Sequence, residues 1–145
     1  QNMANPDPAL LNPARYPFTT TIEPRFGDLD VNLHVNNVAM AGLLEDSRVR
    51  FHRQCGYRNL LVGMTSMVAS VAIEYLGEAA YPDSVEIGCA MEHVGRTSHR
   101  LVQVVTQHGT PIVFARTVLV TVGPDGPAPL PESFATSIEP WMLRA

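Results

Sequence analysis

The chain has 145 residues, enough for one domain with a buried core, and its hydrophobic share of 46% is ordinary for a globular protein. Ten basic residues against fourteen acidic ones give a formal charge of −4, with the basic residues scattered, so there is no electrostatic footprint for nucleic acid. No run approaches the roughly eighteen apolar residues of a membrane-spanning helix and no basic-then-apolar pattern opens the chain; with Cys55 and Cys89 far apart and outside any metal spacing, a cytoplasmic protein with reduced thiols, without membrane or nucleic-acid partners, is expected.

In chain order, residues 1–17 carry Pro6, Pro8, Pro13 and Pro17 and read as an extended arm or frayed tail. Residues 18–26 are rich in β-branched and aromatic side chains and predict a strand, with Pro24 marking an edge or bulge near its end. Residues 25–37, Arg-Phe-Gly-Asp-Leu-Asp-Val-Asn-Leu-His-Val-Asn-Asn, are the densest polar stretch of the chain. They hold two carboxylates (Asp28, Asp30), three amides (Asn32, Asn36, Asn37) and one imidazole (His34). A helix over residues 37–54 follows, with Asn36 or Asn37 as its N-cap and Gly56 where a C-terminal cap belongs. Its first two turns are apolar on nearly every face and predict a buried N-terminal end, whereas residues 45–53 mix charge with Val49 and Phe51 and should emerge towards solvent.

The remainder predicts strands over residues 66–76, 84–94, 99–107 and 112–122, with turns at 78–83, 95–97 and 108–111. The Pro- and Gly-rich residues 123–131 should be unable to continue a sheet. Short connections imply antiparallel neighbours. One apolar helix with such a sheet predicts an α+β architecture, a sheet of about five strands wrapped around one long central helix. The domain is expected over residues 18–132, with 133–145 as a C-terminal tail.

At the loop-to-helix junction the residues resemble the hotdog-fold acyl thioesterases, in particular their 4-hydroxybenzoyl-CoA thioesterase-like branch. The shared pattern stands here as Arg25-Phe26-Gly27-Asp28-Leu29-Asp30 followed by His34-Val35-Asn36-Asn37, and it is also similar to the junction of plant acyl-ACP thioesterases. Weaker similarities run through Leu44-Glu45-Asp46-Ser47-Arg48, Ile73-Glu74-Tyr75-Leu76-Gly77-Glu78, Gly95-Arg96-Thr97-Ser98 and Leu130-Pro131-Glu132, in the family's order. Leu33 replaces the family's usual Gly before the His. The resemblance implies a hotdog-fold homodimer or homotetramer with sites between subunits, hydrolysing acyl-CoA or acyl-ACP thioesters without metal or cofactor. By position it implies Asp30 as the catalytic acidic residue, His34 and Asn32 as polar site residues, and the backbone N–H near Asn37 as the group polarising the thioester carbonyl.

Such chemistry needs an attacking oxygen and a site for the developing oxyanion. A carboxylate supplies the first, either as nucleophile or as general base for water. A helix N-terminus supplies the second through its free N–H groups. Each residue also has a purely structural reading. Asp28 can pair with Arg25, Asp30 can hold a turn, His34 can be a hydrogen-bonded loop histidine, and Asn36 and Asn37 can simply cap the helix. Glu45 has Arg48 as its local partner. Asn32, Asn36, Arg96 (with Arg100 close by) and Ser98 are candidates for binding substrate. His52, His93, His99 and His108 with the two cysteines form no metal-ligand spacing, and neither a Gly-x-Ser-x-Gly segment nor a Gly-rich phosphate loop is present. Two alternatives remain beside hydrolysis: an enoyl-CoA hydratase of the same fold, and a non-catalytic acyl-CoA-binding protein.

Overall fold

The computed structural model describes residues 6–145. Strand β1 (Phe18–Ile22) leads through the polar junction into helix α1 (Asn37–Gln54) and a single turn of helix, α2 (Tyr57–Leu60). Strands β2 (Thr65–Tyr75), β3 (Val85–Val94), β4 (Ser98–Gln107) and β5 (Thr110–Gly123) follow, then a two-residue strand β6 (Gly126–Pro127) and a short helix α3 (Phe134–Ser137). All pair antiparallel in one sheet of order β1-β3-β4-β5-β2, with β6 on β5. This is the expected α+β architecture, a curled sheet around one long helix. No helix among the described residues is long and apolar enough to cross a membrane.

The β4–β5 hairpin turns through His108 and Gly109, both at positive φ (52° and 79°), which suits a tight two-residue connection. Gly56, at φ 73°, ends α1 as the sequence predicts. Helix α1 buries one stripe, Met40, Leu44, Ser47, Arg48 and Phe51, whose spacing is that of a single helical face. Met40 and Leu44 pack with Val85, Ile87, Val105, Val113 and Ala115 on the sheet. Phe51 packs further along with Cys89, Met91, Leu101 and Leu119.

Three expectations are corrected here. The N-terminal end of α1 is not the buried end: Val38 is 81% exposed, whereas Phe51 near the other end is fully buried. The apolar residues of the first turns divide between an inner stripe and an outer face, and the same division runs on through residues 45–53, where Glu45, Val49, Arg50 and Arg53 are exposed and Ser47, Arg48 and Phe51 are buried. Arg48 does not pair with Glu45; it is buried, with Nη1 3.5 Å from Oε1 of Gln103, whose amide donates to the Leu44 carbonyl at 3.0 Å. The Pro-rich exit does continue the sheet briefly, because Pro127 sits on the short outermost strand β6, where a missing N–H costs nothing.

The two chain ends are also more structured than an arm and a tail. Of residues 1–17, those at 1–5 lie outside the described residues. Beyond them, Pro8–Leu11 and Pro13–Arg15 form 3-10 turns whose caps are the Asp7 and Asn12 side chains. Tyr16 is buried against Ala90, Val102, Val104 and Phe114 on the outer face of the sheet. In residues 133–145, Phe134 and Ile138 are buried beside Phe51, and the Leu143 N–H donates to the Met91 carbonyl at 2.8 Å.

Candidate active site

The junction closes on itself before α1 begins. Asp28 is buried, and its carboxylate accepts from the Arg25 backbone N–H (2.9 Å) and from the Arg25 guanidinium (3.1 Å from Nη2). That guanidinium holds the Asp28 carboxyl below the usual carboxylate range. Asp28 is thereby committed to the loop, as its structural reading has it. Residues 30–34 form a tight turn in which the Asp30 N–H donates to the His34 carbonyl (2.9 Å) and the Leu33 N–H to the Asp30 carbonyl (3.1 Å). Asp30 Oδ1 accepts from the N–H groups of Asn32 (2.8 Å) and His34 (3.2 Å). Among the described residues nothing donates to its second oxygen, Oδ2, so one oxygen fixes the turn and the other is left open.

Leu33 occupies the left-handed region of this turn, with φ 63°. The family's usual glycine at that position thus has a steric reason, because glycine has no Cβ to be crowded in this conformation. His34 pairs with Ala80 in an isolated bridge, and the Val35 N–H donates to the Ala79 carbonyl at 3.0 Å. The His34 Nδ1 lies 3.0 Å from Oε2 of Glu78, an ion-pair distance without hydrogen-bond alignment. Glu78 was not singled out by the sequence. Forty-four positions separate it from His34, and only the folded loop brings them together.

Asn36 is the N-cap: its Oδ1 accepts from the N–H groups of Val38 (2.7 Å) and Ala39 (3.3 Å). Of the first-turn donors this leaves the Asn37 N–H, which meets no acceptor among the described residues. The Asn37 carbonyl in turn accepts from the Tyr75 hydroxyl at 2.9 Å. Asp30, Asn32, His34, Asn36 and Asn37 are therefore together at one end of α1, with Asn32 exposed at the tip of the turn. A free N–H at the positive end of an eighteen-residue helix can receive an oxyanion, and an open carboxylate oxygen in the adjoining turn can act as base or nucleophile.

Arg96 and Ser98 are not part of that group within one chain. They sit at the β3–β4 turn, at the start of β4, whereas the junction touches the far end of β4 through Ala80, whose carbonyl accepts from Gln107 Nε2 at 3.0 Å. The nine residue steps from Ser98 to Gln107 amount to roughly 30 Å of strand. Arg100 is engaged by Glu92 (2.7 Å), which also takes Arg116, so Arg96 is left as the exposed cation of that turn. Among the described residues no group of three or more His, Cys, Asp and Glu is arranged to hold a metal ion.

Residues 24–138 match the family model of the thioesterase-like superfamily. The chain belongs to that family. It is accordingly a thioester hydrolase, and its curled antiparallel sheet around one helix is the hotdog fold. Among solved structures it is similar to a thioesterase of Thermus thermophilus, solved with coenzyme A and Zn, at 31% identity and a TM-score of 0.78, covering 86% of this chain and 93% of that one. The probable thioesterase YbaW of Escherichia coli (22% identity, TM-score 0.76, 86% and 98% covered) and the PA5185 protein of Pseudomonas aeruginosa (21% identity, TM-score 0.77, 91% and 96% covered) share the fold. No match was found among curated proteins.

Proposed function

We propose that this thioesterase hydrolyses acyl-CoA or acyl-ACP thioesters, with Asp30 as general base or nucleophile and the Asn37 N–H as oxyanion donor. The observation that carries the reading is the pairing of two unfilled groups in one short segment: the open Oδ2 of Asp30 and the Asn37 N–H that the Asn36 cap leaves over. Attack on the thioester carbon moves charge onto the carbonyl oxygen, where a preset donor is worth more than it is in the ground state. His34, within reach of Glu78, orients the turn or moves the proton. Asn32 and Asn36 line the approach. The coenzyme A present in the Thermus structure favours a CoA carrier, and the junction motif favours the 4-hydroxybenzoyl-CoA thioesterase-like branch. Two free cysteines suit the cytoplasm.

The reading includes a homo-oligomer, and the sheet supplies its reason. Strand β2 is an eleven-residue edge with no partner on its outer side among the described residues, and Met67, Val68, Val71 and Tyr75 on it are exposed. Such an edge is a template for pairing with another strand. Both β2 and β4 run antiparallel to β5, so Thr65 and Ser98 lie at the same end of the sheet, opposite Val122 and Val120 respectively. Pairing two β2 edges antiparallel about a two-fold axis would set the Arg96 and Ser98 end of one subunit beside the Asp30 and Asn37 end of the other. A site roughly 30 Å too long for one chain then closes between two, with Arg96 and Ser98 offered to the carrier's phosphates.

A panel of acyl-CoA and acyl-ACP thioesters with detection of released thiol tests the proposal. Release of free thiol from an acyl carrier is the expected result. Hydration of an enoyl-CoA without thiol, or binding of acyl-CoA without turnover, would refute it in favour of one of the two alternatives.

A further inference from the structure

The loop of residues 76–84 joins β2 to β3 and reaches the junction that holds Asp30. Its start is fixed by the Ile112 carbonyl, which accepts from the N–H groups of Leu76 (2.8 Å) and Gly77 (3.1 Å). Its middle is held by one side chain, that of Gln107 at the end of β4. Gln107 is 7% exposed, and its amide oxygen accepts from the Ala80 N–H at 2.8 Å. Its Nε2 donates to the carbonyls of Ala80 and Asp83, each at 3.0 Å. Both N–H groups and the oxygen of the amide are thus engaged, all on this loop. At the surface the Asp83 carboxylate adds a contact to His108, with 2.6 Å between Oδ2 and Nε2.

By pairing with both backbone groups of Ala80, the Gln107 amide stands in for a neighbouring strand on that side of the loop. The other side of the same stretch serves the junction. Ala80 forms the isolated bridge with His34, and the Ala79 carbonyl accepts from the Val35 N–H at 3.0 Å. Glu78, next in line, lies 3.0 Å from the His34 ring. The other bonds of the turn at residues 30–34 are local to it, joining Asp30 to Asn32, Leu33 and His34. Where that turn stands relative to the sheet is therefore set through Ala79 and Ala80, and their own place is set by Gln107. A glutamine that only closed the β2–β3 connection would have its bonds end there. Here they continue into the turn that carries the open carboxylate oxygen.

We propose that Gln107 is a positioning residue of the thioesterase reaction, acting through Ala79 and Ala80 on the turn that aims Asp30. It fixes the carboxylate relative to the Asn37 N–H and brings Glu78 to His34. The inference rests on the reading of Asp30 as base or nucleophile. Misplacing a reacting group by about 1 Å can cost on the order of a hundredfold in rate, so a loosened loop should be felt in turnover.

Steady-state hydrolysis by the full chain tests this, with the best substrate of the thioester panel and at temperatures well below each melt. The proteins compared are Gln107→Met, Asp30→Asn and the two combined. Gln107→Met removes the bonds to Ala80 and Asp83 at similar volume. In it kcat should fall by roughly ten- to a hundredfold, with KM within about twofold of the parent. On the Asp30→Asn background the same change should cost less than about twofold, because a carboxylate that has been removed cannot be misplaced. Loss of folded protein, by contrast, would lower both backgrounds by one factor. Gln107→Asn keeps the amide but shortens its arm by one methylene; it should show a smaller loss of the same kind, and it carries the test if Gln107→Met does not fold. Near-normal kcat in both Gln107 variants, a rise in KM alone, or an equal loss on both backgrounds overturns the proposal and leaves Asp30 in its role. Near-normal turnover in Asp30→Asn refutes the catalytic assignment, and this inference with it.

Discussion

The hydroxyl of Tyr75, on the exposed edge strand β2, donates a 2.9 Å hydrogen bond to the carbonyl of Asn37, the first residue of α1. The residue whose N–H is left free for an oxyanion is therefore tied to the strand through which the oligomer is proposed to form. Pairing at that edge would thus be felt at the site through one hydrogen bond.

Val71 lies at the middle of that edge, 41% exposed on the side facing α1. Val71→Lys would set two like charges near the proposed two-fold axis, a device that natural edge strands use against pairing. Light scattering should show a smaller species than the parent protein, with turnover falling in step. A monomeric parent protein with full activity would refute the intersubunit site.

Asp30→Asn should keep the fold and lose most turnover. The amide retains an oxygen to accept from the Asn32 and His34 N–H groups, so the turn survives, but it is neither base nor nucleophile. A loss of roughly a hundredfold or more is expected. Asp28→Asn should act on melting temperature instead, by weakening the buried contact to Arg25. Near-normal turnover in Asp30→Asn would leave Asp30 as a turn residue only.

Acid should destabilise the protein through His52 and His99. Burial lowers the His52 pKa to about 3, with His99 and Arg48 adding to the effect, and burial lowers that of His99 to about 4. Both are neutral in the folded state and protonate near pH 6.5 when unfolded. Folded pKa values below the unfolded ones mean that the unfolded state binds more protons on acidification, so stability is full above about pH 6.5 and falls below it. By about pH 5 each ring should cost on the order of 2 kcal/mol. Thermal melts from pH 7.5 to 4.5 check this, and His52→Phe, which keeps the stack on Tyr57, should flatten the profile.

Leu33→Gly should stabilise the chain. The leucine is exposed and sits at φ 63°, so it gives up the cost of a left-handed non-glycine residue without losing packing. A gain approaching about 1 kcal/mol is expected from relief of that strain, less the greater freedom of glycine in the unfolded chain. Denaturant unfolding measures it, and a loss of stability would show that the Leu33 side chain holds the turn.

Local chemistry is what the sequence alone determined. The four later strands, the turn at His108 and Gly109, the Gly56 stop and an Asn cap at the start of α1 each depend on a few neighbouring residues and are found where the pattern puts them, whereas the first strand stops at Ile22, four residues short of its expected end. The junction motif likewise places Asp30 beside the helix start, because both lie within a dozen positions. Only the tertiary structure decided which faces are buried and which distant groups meet. Burial of α1 follows from the curvature of the sheet, which covers Met40, Leu44 and Phe51 and leaves Val38 outside. The meetings of His34 with Glu78, Tyr75 with Asn37 and His52 with His99 span from thirty-eight to forty-seven positions, and no periodicity records them. The separation of Arg96 and Ser98 from Asp30 is of the same kind, because strand length and register, not residue type, set which end of the sheet each side chain reaches.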